Sequence, residues 1–336
     1  TDEAEFHVNL DGAAIEDLQP SAMDDTEFKA IHINATGAAS VIGRIDDPAG
    51  GFAKELETLR VTGDADLQLG DYGGGRLTQG FASPPGTPPV SIDASEATGD
   101  LNVQGETEGE FDEVVLGSGD DLLKLSKTQH YFDESNIGNA YLDGGLGSDE
   151  LRFYRNFQKT DSEALRAAPE GQIVGFEDVY LSPHLIGSNS SGDGDLGTIP
   201  LDLFEGIETF KFDAENYTVS GDNDTSLSFT VDELTAAQTV EGASYIANAA
   251  ATTNVTFKMA DPSGDADAVT LESVVSLINP NEVNSFTSLV VDTTDVDGTT
   301  HAVEEFALIA SRADVGSEVG TQVGAVSANS TGKLSI

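Results

Sequence analysis

The chain has 336 residues, with 60 Asp and Glu against 15 Lys and Arg, a formal charge of −45. Phosphate backbones and anionic membrane surfaces are gripped by clustered Lys and Arg; no such cluster occurs, which excludes most nucleic-acid readings, and no run reaches the roughly 18 apolar residues of a membrane span. The absence of Cys removes disulfide and thiolate–metal chemistry, and although 38 % apolar residues can build a core, the charge opposes compaction unless divalent cations or salt offset it.

Short runs rich in Val, Ile, Leu, Thr and Phe recur between Gly, Asp, Asn and Pro clusters, the pattern of strands. Residues 1–90 are expected to form an N-terminal β module. In it Leu59-Arg60-Val61 and Leu67-Gln68-Leu69 alternate so that one set of side chains faces a core, with Asp64 and Asp66 on the acidic turn between them. The Pro-rich residues 82–90 read as a loop, because Pro lacks the donor that a central strand needs. Residues 91–186 hold the strand Leu101-Asn102-Val103 and two Gly/Asp turns, with residues 126–141, which contain His130-Tyr131-Phe132, as an insertion. Ser162 is expected to cap a helical turn through Leu165.

Residues 187–336 are expected to form one or more C-terminal β modules. They open on a Gly/Ser/Asp loop, 187–199, carrying Asp193 and Asp195. Ser226-Leu227-Ser228-Phe229 alternates as a strand, whereas Thr230-Val231-Asp232-Glu233 reads as a capping box before a short Leu-Ala-Ala helix. Further acidic turns bring together Asp222 and Asp224, Asp265 and Asp267, and Asp295 and Asp297. After Asp314 the tail repeats Val-Gly at 315, 319 and 323.

One strand-opening pattern recurs: an apolar residue, Glu, a small polar or acidic residue, then apolar, any, apolar. It reads Leu56-Glu57-Thr58-Leu59-Arg60-Val61, Phe176-Glu177-Asp178-Val179-Tyr180-Leu181 and Ile207-Glu208-Thr209-Phe210-Lys211-Phe212. Looser copies are Leu271-Glu272-Ser273-Val274 and Val303-Glu304-Glu305-Phe306-Ala307-Leu308. Stacked coils or repeated sandwich units give such recurrence, because each unit must bury the same face against its neighbour.

The chemistry is concentrated in two nonapeptides. Gly144-Gly145-Leu146-Gly147-Ser148-Asp149-Glu150-Leu151-Arg152 is a complete match to G-G-x-G-x-D-x-U-x, where U is a large apolar residue, and Leu116-Gly117-Ser118-Gly119-Asp120-Asp121-Leu122-Leu123-Lys124 matches all but the first Gly. This is the pattern of calcium-binding turns in parallel β-helices. Calcium takes six to eight oxygen ligands at about 2.3–2.6 Å. Turns whose glycines (Gly117, Gly119, Gly145, Gly147) accept positive φ aim carbonyls inward, Asp121 and Asp149 add carboxylates, and the U residue begins a short strand facing the core. The remaining acidic turns, at Asp64 and Asp66, Asp193 and Asp195, Asp222 and Asp224, Asp265 and Asp267, and Asp295 and Asp297, are weaker candidates for the same ion.

The nonapeptides, the recurring Glu-Thr strand openings and the segment Asp261-Pro262-Ser263-Gly264-Asp265-Ala266-Asp267-Ala268-Val269-Thr270-Leu271 together resemble RTX-type surface-layer proteins of Gram-negative bacteria, in patches from about residue 56 to 312. The resemblance implies type I secretion, calcium-triggered folding outside the cell and assembly into a lattice. It implies an all-β chain with parallel β-solenoid or β-roll segments, further β modules and few short helices. Only one perfect nonapeptide occurs, so irregular β modules stapled by calcium are expected rather than one long regular roll. No charged-then-apolar leader opens the sequence. A leader has been removed, the sequence is a fragment, or export takes another route.

Enzyme chemistry has little to stand on. No His-Glu-x-x-His pattern exists, and the histidines at 7, 32, 130, 184 and 301 are scattered along the sequence. No G-x-S-x-G elbow is present, and with 60 acidic residues a glycosidase pair can always be found. The leading expectation is a non-enzymatic structural protein of a surface layer or filament, with Ca2+ as cofactor and itself as partner. The alternatives are an adhesin module that holds a receptor or cell-surface polysaccharide, and the non-catalytic part of a secreted hydrolase.

Overall fold

In a computed structural model the described residues are 4–18, 28–45, 56–70, 90–104, 111–125, 140–153, 159–181, 195–213, 226–243, 252–261, 268–275, 284–292, 305–312, 321–328 and 333–335. They divide into two compact units: Thr1–Phe153 with Ala167–Glu177 and Phe204–Gly206, and Tyr154–Arg166 with Asp178–Leu203 and Ile207–Ile336. The described residues are mainly strands in large parallel sheets, with few helices among them.

In the first unit the chain alternates between two sheets. One holds β1 (Ala4–Leu10), β3 (Phe28–Ala35), β5 (Thr58–Gly63), β7 (Val90–Ala97), β9 (Phe111–Val115), β11 (Tyr141–Asp143), β13 (Ile173–Val174) and β16 (Phe204–Glu205), hydrogen-bonded in that order. The other takes the intervening strands β2 (Ala14–Leu18), β4 (Ser40–Ile45), β6 (Leu67–Leu69), β8 (Leu101–Gln104), β10 (Leu122–Leu125) and β12 (Glu150–Phe153). From β3 to β13 each strand thus pairs, in parallel, with the strand two before it in sequence, whereas β16 pairs with β13, three before it. Val90, the last residue of the expected Pro-rich loop, opens β7, and pairing runs from β5 to β7 to β9 with the register shifting between Val90 and Ser91.

Register explains why the alternating pattern recurs at unequal intervals. In the first sheet Ile31, Leu59, Ile92, Val114, Leu142 and Ile173 stand side by side, all buried. In the second, Ile42, Leu69, Val103, Leu123 and Leu151 do the same. A one-residue slip would turn every one of these side chains to the opposite face, so burial fixes the register. The expected strands at Leu59–Val61, Leu67–Leu69 and Leu101–Val103 are β5, β6 and β8.

The second unit repeats the scheme. β14 (Asp178–Leu181), β17 (Thr209–Asp213), β19 (Thr239–Ala243), β21 (Ala268–Val275), β23 (Glu305–Arg312) and β25 (Lys333–Ser335) follow one another in one sheet. β15 (Asp195–Pro200), β18 (Ser226–Leu234), β20 (Thr252–Met259), β22 (Asn284–Asp292) and β24 (Thr321–Ala328) form the other. Val179, Phe210, Val240, Leu271 and Leu308 form one apolar row, and Phe212 meets Phe229 edge-on at 4.9 Å between ring centroids.

Four expectations change here. Residues 195–199, read as part of a loop, form most of β15, because Leu196 and Ile199 find a buried face. Thr230–Glu233 is not a capping box. It continues β18, where Val231 pairs with Phe257, and Glu233 at φ 58° marks a bulge where the register shifts. Ser162 does not begin a helix but lies inside α1 (Lys159–Ala167), its hydroxyl donating back to the Lys159 carbonyl at 2.8 Å. Leu271-Glu272-Ser273-Val274 lies in the interior of β21 and opens no strand.

Candidate metal centre

The turns that join the two sheets of the first unit stack on one another. Ala65 N–H donates to the Ala35 carbonyl, Thr98 N–H to Gly63, Ser118 N–H to Ala97 and Leu146 N–H to Gly117, at 2.8–3.2 Å. Such close stacking demands glycine where a carbonyl presses on the next turn. A Cβ on Gly119 would collide with the backbone of Gly99, and one on Gly147 with the carbonyl of Gly119. Gly145 and Gly147 also have φ of 93° and 142°, as the turn chemistry leads one to expect. Gly117 and Gly119 are not in the positive-φ region, so among these four the crowding of backbone on backbone is what selects glycine at 117 and 119.

Two carboxylate ladders run along these turns. On the exposed side, Asp66 Oδ1 accepts from Asp100 N–H at 3.2 Å, Asp100 Oδ1 from Asp120 N–H at 2.9 Å and Asp120 Oδ1 from Ser148 N–H at 3.0 Å. On the buried side the direction reverses. Asp121 Oδ1 accepts from Leu101 N–H at 2.7 Å, Asp149 Oδ1 from Asp121 N–H at 2.7 Å and Glu177 Oε2 from Asp149 N–H at 2.8 Å. Asp121 and Asp149 are almost wholly buried, at 2 % and 1 % exposure.

The two nonapeptide carboxylates have different roles. Asp121 engages both oxygens with amides, since Oδ2 accepts from Gly117 N–H at 3.0 Å. Asp149 engages only one: its Oδ2 is buried and has no hydrogen-bond partner among the described residues. Burial pushes the Asp149 carboxyl up to about 7. The N–H of Asp121 opposes this, while the carboxylates of Asp121, Glu177 and Asp120 add to it. Burial likewise raises Asp121, against the pull of the Leu101 and Gly117 amides. An orphaned buried acceptor beside three like charges is the environment a hard cation relieves. The side chains that act on Asp149, those of Asp121, Asp120 and Glu177, are all carboxylates, oxygen donors that suit a hard cation such as calcium rather than a soft metal.

The U residues behave as expected: Leu123 and Leu151 are fully buried and face each other in register across β10 and β12. Glu177, which the nonapeptide pattern does not include, completes the buried ladder. Its signal in the sequence is the strand-opening repeat, Phe176-Glu177-Asp178-Val179. Asp64 is exposed on its turn and Asp66 belongs to the exposed ladder. Asp193, Asp222, Asp224, Asp265, Asp267, Asp295 and Asp297 lie outside the described residues, as do 126–139 of the expected insertion; for Asp195 only the backbone, in β15, is described. Two of the histidines read as scattered, His7 and His32, stand directly opposite each other on β1 and β3.

No family model, curated protein or solved structure matches the chain.

Proposed function

We propose that this chain is a calcium-dependent, non-enzymatic structural protein of an extracellular surface layer or filament, a parallel β-solenoid whose coils are stapled by calcium and which associates with copies of itself. The observation that carries this reading is the buried Asp149 Oδ2, without a partner in a column of carboxylates. The strand order supports the coil: each coil would contribute one strand to each of two sheets, with a Gly/Asp turn between them. Asp149 would hold the ion directly, and Glu177 and Asp121 would supply the surrounding negative charge. Bound calcium supplies positive charge that lets these carboxylates stay ionised inside the protein; the residues themselves cap the amides that open each strand.

Self-association follows from charge and edges. A surface carrying much of a −45 charge repels its copies until cations neutralise it. Among the described residues, β1, β2 and β16 in the first unit and β15, β24 and β25 in the second pair on one side only, leaving backbone donors and acceptors for another strand. A head-to-tail contact of this kind gives an open array. The test is light scattering and electron microscopy with Ca2+ against Mg2+ at equal ionic strength. Ordered sheets or fibres with Ca2+ alone are expected. Monomers under both ions would contradict self-assembly.

A further inference from the structure

Parallel pairing puts like positions of successive strands side by side, and on the outer face of the first sheet it assembles a group that sequence distance conceals. His7 pairs with His32 in register, their rings 5.2 Å apart and tilted by 58°. Glu5, two residues before His7 and so on the same face, has Oε2 3.3 Å from His7 Nε2. One donor atom from each of Glu5, His7 and His32 lies within 4.8 Å of the other two. We propose that these three residues bind a zinc-class divalent cation, at a site separate from the calcium-type turns.

The donor chemistry makes the choice. Two imidazoles and one carboxylate are poor ligands for calcium but good ones for Zn2+, Cu2+, Ni2+ or Co2+. Tetrahedral zinc with bonds of about 2.0–2.1 Å holds its ligand atoms about 3.3 Å apart, the separation that His7 and Glu5 already have. Small rotations of exposed side chains bring in the third. Three protein ligands leave the fourth position for water or a donor from another molecule.

A hydrogen-bond chain orients His32. Asn34 Nδ2 donates to Asn9 Oδ1 at 3.2 Å, and Thr62 Oγ1 donates to Asn34 Oδ1 at 3.3 Å. The Thr62 oxygen therefore accepts from His32 Nε2–H at 3.0 Å, and Nδ1 keeps its lone pair for the metal. Partners of this kind fix the tautomer and direction of a metal-bound imidazole. The adjacent cation, Arg60, opposite His32 on β5, is paired with Glu96 at 2.9 Å, which lessens its repulsion of a metal.

The test titrates Zn2+ into the whole chain by calorimetry in saturating Ca2+, so that the carboxylate turns are already occupied. One equivalent is expected. It is lost in His7→Ala and in His32→Ala, and Thr62→Val, which removes only the orienting hydroxyl, weakens it about 10-fold. A measurement on the unsubstituted chain guards against misfolded variants: Zn2+ should shift the imidazole NMR signals of two of the five histidines. Absence of Zn2+ binding, unchanged stoichiometry in both His variants, or shifts confined to the other three histidines would overturn the proposal.

Discussion

At the scale of single residues, the proposed calcium dependence rests on the buried Asp149 Oδ2. Asp149 has a folded value of about 7 against an ordinary 3.8, so between those limits the native state holds a proton that the unfolded chain has released. Without calcium, this group's contribution to stability is therefore complete below about 3.8 and is lost as pH rises to about 7. Asp121, also raised, acts in the same direction. Asp149→Asn keeps an Oδ1 acceptor for Asp121 N–H and removes the charge. Urea denaturation in chelator should show the unsubstituted chain losing stability across this range and the variant losing less of it. Parallel pH profiles would count against the assignment. On the proposed reading, bound calcium would reverse the trend, because it favours the ionised carboxyl.

At the scale of elements, the turns hold the stack together through close approach. Three substitutions separate its causes. Gly171→Ala places a Cβ in open space at φ 75° and should cost only the left-handed strain, about 1–2 kcal/mol. Gly119→Ala has no such strain but meets the Gly99 backbone, an overpacking cost of about 1–3 kcal/mol. Gly147→Ala combines both and should cost about 2–5 kcal/mol. Equal urea midpoints for the three would show that stacking of the turns contributes nothing. The nonapeptides were legible because their spacing is local: six residues place the Asp, and two more place the buried Leu123 or Leu151. Glu177 and the His7–His32 pair were not, because they depend on register between strands whose offset changes from one pair to the next: 25 for Asn9 and Asn34, 34 for Asp66 and Asp100, 20 for Leu101 and Asp121, 28 for Asp149 and Glu177. The misread capping box has a different cause. Thr230 and Glu233 carry helix-start chemistry, but Phe229 and Val231 gain a buried face against Val255 and Phe257, and that packing outweighs local propensity.

For the whole molecule, on the proposed reading, a chain of charge −45 with buried carboxylates gains stability when cations occupy its acidic turns. A ligand that binds only the native state at a hundredfold excess over its Kd adds about 2.7 kcal/mol per site. The direct measurement is calorimetric melting at pH 7.5 in Ca2+, in Mg2+ and in chelator, for the unsubstituted chain and for Asp149→Asn. Ca2+ should raise the melting temperature well beyond the effect of Mg2+, with part of that rise missing in the variant. Identical melting curves for the unsubstituted chain in calcium and in chelator would contradict it.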